Sequence, residues 1–270
     1  AYQGMGDYDA AEQALARGLA IVPDARNLET GKLYIWQGLL AFRRGLLVEG
    51  LTPCRQGIEI IQETGNPQEL ARAYNLEGVL YRNLGRSAEA MAAHQQSIAL
   101  YEESNYIPGL ERAYSNLGCV FQDVSQWDQA LHYFRESANL SERTGEVWRR
   151  VAAAINLAEI FRLQGRFDEA LAHNRQAQTL ALAHNLSELV GITQLNLGAI
   201  YLKLANLPDA ATHLTQCQQL FAGLETETYL VETLCSLATL RLLEGDPEAG
   251  LALGQEALTV ATEQKRPLAL

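Results

Sequence analysis

The side chains best suited to metal binding or nucleophilic chemistry are few and widely separated in this sequence. His173 and His213 occupy the same position of successive sequence repeats, and the four cysteines at positions 54, 119, 217 and 235 show no close pairing. Packed helices lie about 8–10 Å apart, which is too far for imidazoles on successive repeats to share one metal ion. We therefore interpret the histidines as helix-surface residues and the cysteines as reduced, packed thiols.

Sequence motifs of common enzyme active sites are also missing. The sequence has no phosphate-binding glycine loop ending in Lys-Ser/Thr, no Gly-x-Ser-x-Gly elbow and no His-Glu-x-x-His. No nucleophile–base pair or pair of carboxylates is indicated either. The sequence therefore predicts a protein that is not an enzyme, with no catalytic residues, no metal site and no cofactor.

Asparagines recur at a regular spacing and suggest binding chemistry instead. Asn116, Asn156 and Asn196 are separated by forty positions each, Ser236 continues the series, and Asn75 is one position away from it. Asparagine is unfavourable inside a helix, so three at one repeat position indicate a use for the amide. An amide both donates and accepts hydrogen bonds, which suits the backbone of a bound extended chain. Alternatively, each amide bridges backbone groups of the neighbouring helix.

A repeat with a period of forty positions explains this spacing and extends through the chain. Small residues recur at this period as Gly38, Gly78, Gly118, Ala158, Gly198 and Ala238. An aromatic residue follows three positions later in four repeats, as Tyr81, Phe121, Phe161 and Tyr201. A glycine recurs seven positions after the small residue, as Gly45, Gly85, Gly165 and Gly245. An alanine recurs twelve positions after it, as Ala90, Ala130, Ala170 and Ala210.

Each recurring residue type has a role in a pair of packed helices. A glycine inside a helix costs up to about 1 kcal/mol, so it indicates a place where another helix approaches closely. The aromatic ring fills space between helices, and the later glycine suits the left-handed end of a helix. Each repeat is therefore predicted to be a helix–turn–helix that buries its apolar face against its neighbours.

The pattern of small residue, aromatic, glycine and alanine resembles the tetratricopeptide repeat over essentially the whole chain. The usual repeat has about 34 residues. The longer period of forty is similar to that of kinesin light chain and the spindle-orientation adaptors. Bacterial peptide-pheromone sensors and the maltotriose-responsive activator have similar repeats. The resemblance implies an all-α fold, a right-handed superhelical solenoid of stacked helix–turn–helix repeats.

The repeat also predicts the organisation of the chain. We expect one solenoid over residues 1–270, with a half repeat over 1–30 followed by six repeats near 31–70, 71–110, 111–150, 151–190, 191–230 and 231–270. Solenoids normally end in a polar capping helix, and none is obvious at either end of this sequence. We therefore expect the chain to be part of a larger protein with covalently attached flanking domains.

The whole chain and its predicted concave face carry charges of opposite sign. The formal net charge of −11 argues against duplex DNA or an anionic membrane as the partner. The resemblance places six positions of each first helix on the concave face, where seven bases and three acids give +4. These residues are Lys32, Arg43, Arg72, Arg82, Arg112, Arg162 and Lys203, with Asp123, Glu159 and Glu232. A basic concave face favours an acidic or carboxylate-bearing ligand; alternatively, the arginines pair with acids on adjacent helices.

These observations favour a non-enzymatic recognition module that binds an extended peptide or protein segment along its concave face. The predicted ligand-binding residues are Asn75, Asn116, Asn156, Asn196, Arg72, Arg82, Arg112 and Arg162. We expect a cytoplasmic sensor or scaffold within a larger bacterial signalling or regulatory protein. The alternatives are a small-molecule sensor, such as the sugar sensor of a transcription regulator, and a structural arm for self-assembly. A sugar site needs aromatic platforms, and the predicted concave face offers only Trp36 and Phe42 near its start.

Overall fold

The computed structural model describes residues 8–21, 26–222 and 227–264. Within these ranges all regular secondary structure is helical, the helices are joined by short turns, and no strand is present. The chain divides into two compact units, Ala1–Thr144 and Gly145–Leu270. The described helices of the first unit are α1 (Tyr8–Ile21), α2 (Leu28–Arg43), α3 (Leu47–Thr64), α4 (Pro67–Asn83), α5 (Ser87–Glu103), α6 (Ile107–Asp123) and α7 (Trp127–Thr144). Those of the second unit are α8 (Val147–Leu163), α9 (Phe167–Ala183), α10 (Ser187–Lys203), α11 (Leu207–Ala222), α12 (Glu227–Leu243) and α13 (Pro247–Gln264).

Consecutive helices pack in pairs inside each unit. In the first unit α2 packs on α3, α4 on α5 and α6 on α7; in the second, α8 packs on α9, α10 on α11 and α12 on α13. From α4 onward, the first helix of each pair begins forty positions after the preceding one. The all-α class and the stacked helix–turn–helix repeats predicted from the sequence are therefore confirmed. The assignment of residues 1–270 to one solenoid stays a prediction.

The recurring glycines Gly78, Gly118 and Gly198 lie where the second helix of the pair approaches closely. A Cβ atom on Gly78 would lie 2.6 Å from the ring of His94, and one on Gly118 would lie 2.7 Å from the ring of Phe134. A Cβ on Gly198 would similarly lie 2.5 Å from Leu214. In these three pairs the facing residue is sixteen positions later, so the repeat period reproduces the same contact from pair to pair.

A residue in the left-handed backbone conformation follows the helices at two positions of the repeat, one between the helices of a pair and one between successive pairs. Between the two helices of a pair, Gly85 and Gly165 have positive φ, and so do Ser125 and Ala205 at the equivalent positions. The links between successive repeats contain Gly65, Asn105, Gly145 and Asn185 in the same conformation. The turn geometry is thus kept even where the sequence lacks the glycine that favours it.

Ala205→Gly is expected to stabilise the protein, because alanine at φ 55° carries a steric cost that glycine avoids. The expected gain is about 0.5–1 kcal/mol in the free energy of unfolding, measured by urea denaturation. Ala252→Gly is the matched control: Ala252 is exposed inside α13, so the same change should cost about 1 kcal/mol there. Equal losses in both variants would contradict the expected gain.

No helix within the described residues is both long and apolar enough to cross a bilayer.

Candidate functional site

A concavity of about 660 Å³ in the first unit brings together four of the eight residues predicted to bind a ligand, namely Arg72, Asn75, Arg112 and Asn116. We call it the first-unit groove. It is lined by Lys32, Ile35, Trp36, Leu39, Phe42 and Arg43 from α2, Glu69, Arg72, Asn75, Leu76 and Val79 from α4, and Arg112 and Asn116 from α6. Three successive first helices therefore form it, as the repeat predicts.

Local sequence signals fix where these helices begin and hence which side chains enter the groove. Helix α4 starts at Pro67 after Asn66, whose side chain accepts a hydrogen bond from the backbone N–H of Glu69 at 3.0 Å. One turn later, Arg72 faces the groove. Helix α6 begins in the equivalent place with Pro108 in its first turn, which brings Arg112 to the same side.

Two of the predicted asparagines, both of which line the groove, contact each other. The side-chain amide of Asn116 donates a hydrogen bond to the side-chain oxygen of Asn75 at 3.0 Å. Asn75 is buried and Asn116 is half-buried. Each amide has further hydrogen-bonding capacity, because this bond uses only one donor of Asn116 and one acceptor position of Asn75. The sequence analysis did not predict this pairing. The one signal for it was that Asn75 lies one position away from the forty-residue asparagine series.

The cations of the groove differ in how firmly they are paired. The Lys32 ammonium nitrogen lies 3.0 Å from a carboxylate oxygen of Glu29, and a guanidinium nitrogen of Arg72 lies 3.3 Å from a carboxylate oxygen of Glu69. In both pairs the acid is three residues earlier on the same helix. Arg43 and Arg112 are exposed, and neither forms an ion pair with a carboxylate among the residues that the structure describes. The groove therefore presents two guanidinium groups that are open to an anionic ligand.

Arg82 and Arg162 lie among carboxylates. Arg82 forms a two-point ion pair with Asp123 on the next first helix, with distances of 2.5 and 3.0 Å. Arg162 pairs in the same way with Glu159 one turn earlier on α8, at 2.7 and 2.5 Å. Hydrogen bonding to these acids raises the pKa of both guanidinium groups. Arg82 therefore pairs with an acid on an adjacent helix, which is the alternative to ligand binding that the sequence left open.

The remaining members of the asparagine series lie in the second unit. Asn156 on α8 and Asn196 on α10 are both half-buried. The hydroxyl of Ser236, which continues the series, donates to the carbonyl oxygen of Glu232 in its own helix at 2.9 Å. Binding of a ligand by this series stays a prediction.

The net charge of the predicted groove positions falls entirely in the first unit. Lys32, Arg43, Arg72, Arg82 and Arg112 there oppose only Asp123. In the second unit, the bases are Arg162 and Lys203 and the acids are Glu159 and Glu232. Partial burial and the nearby Glu159 raise the pKa of Glu232. An anionic ligand is therefore favoured by the first unit alone.

The histidines singled out in the sequence pack against aromatic rings. His173 stacks on Phe161 with ring centroids 5.2 Å apart, and His213 stacks on Tyr201 at 5.4 Å. Over the described part of the chain, no three His, Cys, Asp or Glu side chains are grouped as metal ligands.

The cysteines are thiols of low reactivity where they are buried. Cys54 and Cys217 are buried, and burial raises the pKa of both, that of Cys217 to about 11. A thiol must lose its proton to act as a nucleophile, so these two side chains remain protonated at neutral pH. Cys119 is half-buried, and burial also raises its pKa. Cys235 is exposed, so the interpretation of the cysteines as packed thiols is wrong for this residue.

Comparisons with known proteins identify the repeat. Residues 71–104 and residues 109–183 each match a model of the tetratricopeptide repeat. A search of curated proteins finds no match to the chain.

Several solved structures share the fold at low sequence identity. Aspartyl phosphate phosphatase F from Bacillus subtilis has a TM-score of 0.78 at 15% identity, over 100% of this chain and 71% of that one. The Rap conjugation gene regulator of plasmid pLS20, in complex with the Phr* peptide, has a TM-score of 0.65 at 12% identity, over 89% and 76%. A signal transduction ATPase with numerous domains and a tetratricopeptide repeat sensor, from Pyrococcus horikoshii, has a TM-score of 0.73 at 12% identity, over 97% and 40%.

Proposed function

Because this chain belongs to the tetratricopeptide-repeat-like superfamily, we propose that it is a recognition module that binds an extended peptide or protein segment in the first-unit groove. The proposed role is non-enzymatic. We further propose that it serves as the sensor or scaffold part of a larger bacterial signalling or regulatory protein in the cytoplasm.

The observation that carries this proposal is the combination of the Asn75–Asn116 pair with two arginines that lack a carboxylate partner among the described residues, all in one concavity. A peptide backbone offers alternating donors and acceptors, which the spare donor and acceptor groups of the two amides match. Arg43 and Arg112 supply guanidinium groups for a side-chain or terminal carboxylate, which a planar guanidinium binds through two hydrogen bonds. The apolar side chains of Leu39 and Leu76 line the same concavity and provide area for burial.

Relatives of the same fold support the peptide as ligand. The Rap regulator of plasmid pLS20 was solved with the Phr* peptide, and the Pyrococcus horikoshii ATPase has a tetratricopeptide repeat sensor. Identities of 12% make these likenesses of fold, so the groove geometry carries the argument and the relatives suggest the ligand class.

The proposal predicts that Arg112→Ala combined with Asn116→Ala weakens peptide binding by about 10- to 100-fold, because a charge-assisted and a neutral hydrogen bond are lost together. The probe is a peptide enriched from a random dodecapeptide display library selected on the whole chain. Its dissociation constant is measured by fluorescence anisotropy. Arg135→Ala is the matched control, since Arg135 is an exposed arginine of the same unit on the second helix α7.

Two results would contradict the proposal. The first is a library that yields no binder. The second is a double variant that binds the selected peptide as tightly as the parent does. The asparagine series is tested separately by the triple variant Asn116→Ala, Asn156→Ala and Asn196→Ala, which should also bind more weakly.

A small-molecule sensor is the second candidate, favoured by the two aromatic rings at one end of the groove. Trp36 is 45% exposed although it is a large apolar ring, and Phe42 lines the same concavity. An exposed indole offers a platform for the apolar face of a sugar. A library without binders, together with thermal stabilisation of the chain by maltotriose that Trp36→Ala abolishes, would favour this candidate over the peptide.

A further inference from the structure

A row of cations runs along the first-unit groove at one position of the repeat. Lys32, Arg72 and Arg112 are separated by one repeat period each, and all three line the concavity. The equivalent positions of the second unit hold Ala152, Ile192 and Glu232, so the row is confined to the first unit. We call these three residues the cation row.

The existing partners of the cation row are weak competitors for a ligand. Glu29 and Glu69 lie three residues before Lys32 and Arg72, and both pairs are open to solvent on one side, with Glu29 at 75% and Arg72 at 48% side-chain exposure. Exposed pairs of this kind contribute about 0–1 kcal/mol, so the cations can exchange these partners for a bound carboxylate. The equivalent position before Arg112 is Gly109, which leaves that guanidinium without the intrahelical acid.

The spacing of the cation row selects one peptide conformation. Helix α4 contacts both α2 and α6, and packed helices lie about 8–10 Å apart, so we expect a step of about this length between successive members of the row. In a β-strand, side chains on the same side are about 7 or 13 Å apart, and neither distance matches. A polyproline II segment has three residues per turn and a rise of about 3.1 Å, so every third side chain points the same way at intervals of about 9 Å.

We propose that the first-unit groove recognises an acidic segment in polyproline II conformation, with carboxylate side chains at every third residue. This inference rests on the proposed function and specifies its ligand. The backbone of a polyproline II segment makes no internal hydrogen bonds, so its amide groups are free to bond the Asn75–Asn116 pair. The residues between the carboxylates supply the side chains that contact Leu39, Leu76 and Val79.

The test uses four fluorescein-labelled peptides with blocked ends and one common background of alanine, proline, leucine and serine. Three of them carry three glutamates at every second, every third or every fourth position, and the last carries glutamines at every third position. Binding to the whole chain is measured by fluorescence anisotropy at low ionic strength, where exposed charges are least screened.

The peptide with glutamate at every third position should bind about tenfold more tightly than each of the other peptides. Arg112→Ala should remove this advantage, and the control variant Arg135→Ala should retain it. Equal affinities for the three glutamate spacings, or equal affinities for glutamate and glutamine, would overturn the inference.

Selection from the random display library separates this inference from the proposed function. Binders with acidic residues at every third position would support both. Binders that depend on Asn116 but lack such acids would overturn the acidic pattern and leave the peptide-binding function standing. A library that yields no binder would overturn both.

Discussion

Gly118→Leu is expected to lower the free energy of unfolding by about 3 kcal/mol or more, which is at the upper end of what overpacking costs. The first atom added at this position would already lie 2.7 Å from the ring of Phe134, a side chain that is fully buried. The ring cannot move aside without displacing α7 from α6, because protein cores are close-packed. Since each repeat is stabilised by its neighbours, we expect the loss to reach α4 and α5 as well.

Urea denaturation followed by circular dichroism measures this effect, with two variants as controls. Gly254→Ala should be tolerated and should gain up to about 1 kcal/mol, since no atom lies within 4 Å of a Cβ built there. Phe134→Ala alone should cost about 3–5 kcal/mol. In the Gly118→Leu background it should cost clearly less, because removal of the ring makes room for the leucine. An unchanged stability of Gly118→Leu would show that the repeat positions are wrongly assigned.

Acidification is expected to destabilise the protein through His94, by about 3 kcal/mol between neutral pH and pH 4. His94 is fully buried against Gly78, and neither ring nitrogen has a hydrogen-bond partner among the described residues. Burial, with a smaller contribution from the positive charge of Arg82, lowers the pKa of His94 to about 4. In the unfolded chain the imidazole binds a proton near pH 6.5. The unfolded state therefore binds more protons between these two values, and stability falls as the pH falls through this window.

His94→Leu isolates this contribution from the other titrating groups. Leu214 occupies the equivalent position against Gly198, so the repeat itself shows that leucine fits there. The difference in unfolding free energy between the parent and His94→Leu should shift by about 3 kcal/mol in favour of the leucine variant from pH 7.5 to pH 4. A difference that stays constant with pH would mean that His94 is not held neutral by burial.

The repeat in the sequence determined the fold, and its resemblance to the tetratricopeptide repeat assigned the positions of the concave face. Small residues such as Gly118 and left-handed turns such as Gly85 must recur at one spacing in any stack of equivalent helix pairs, so their positions identify the helices. The same period places Arg72 beside Arg112 on successive first helices. With those assigned positions, the sequence predicted most of the residues that line the first-unit groove, but not Glu69.

The tertiary structure alone decided how these side chains pair. The hydrogen bond of Asn75 with Asn116 and the ion pair of Arg82 with Asp123 both join residues whose numbers differ by 41, one more than the repeat. Successive first helices are therefore offset by one residue at these contacts. A difference of one residue turns a helical side chain by about 100°, and this shift determines whether it meets a partner or faces the groove. Composition and period cannot supply that offset, because it depends on how the two first helices α4 and α6 pack against each other.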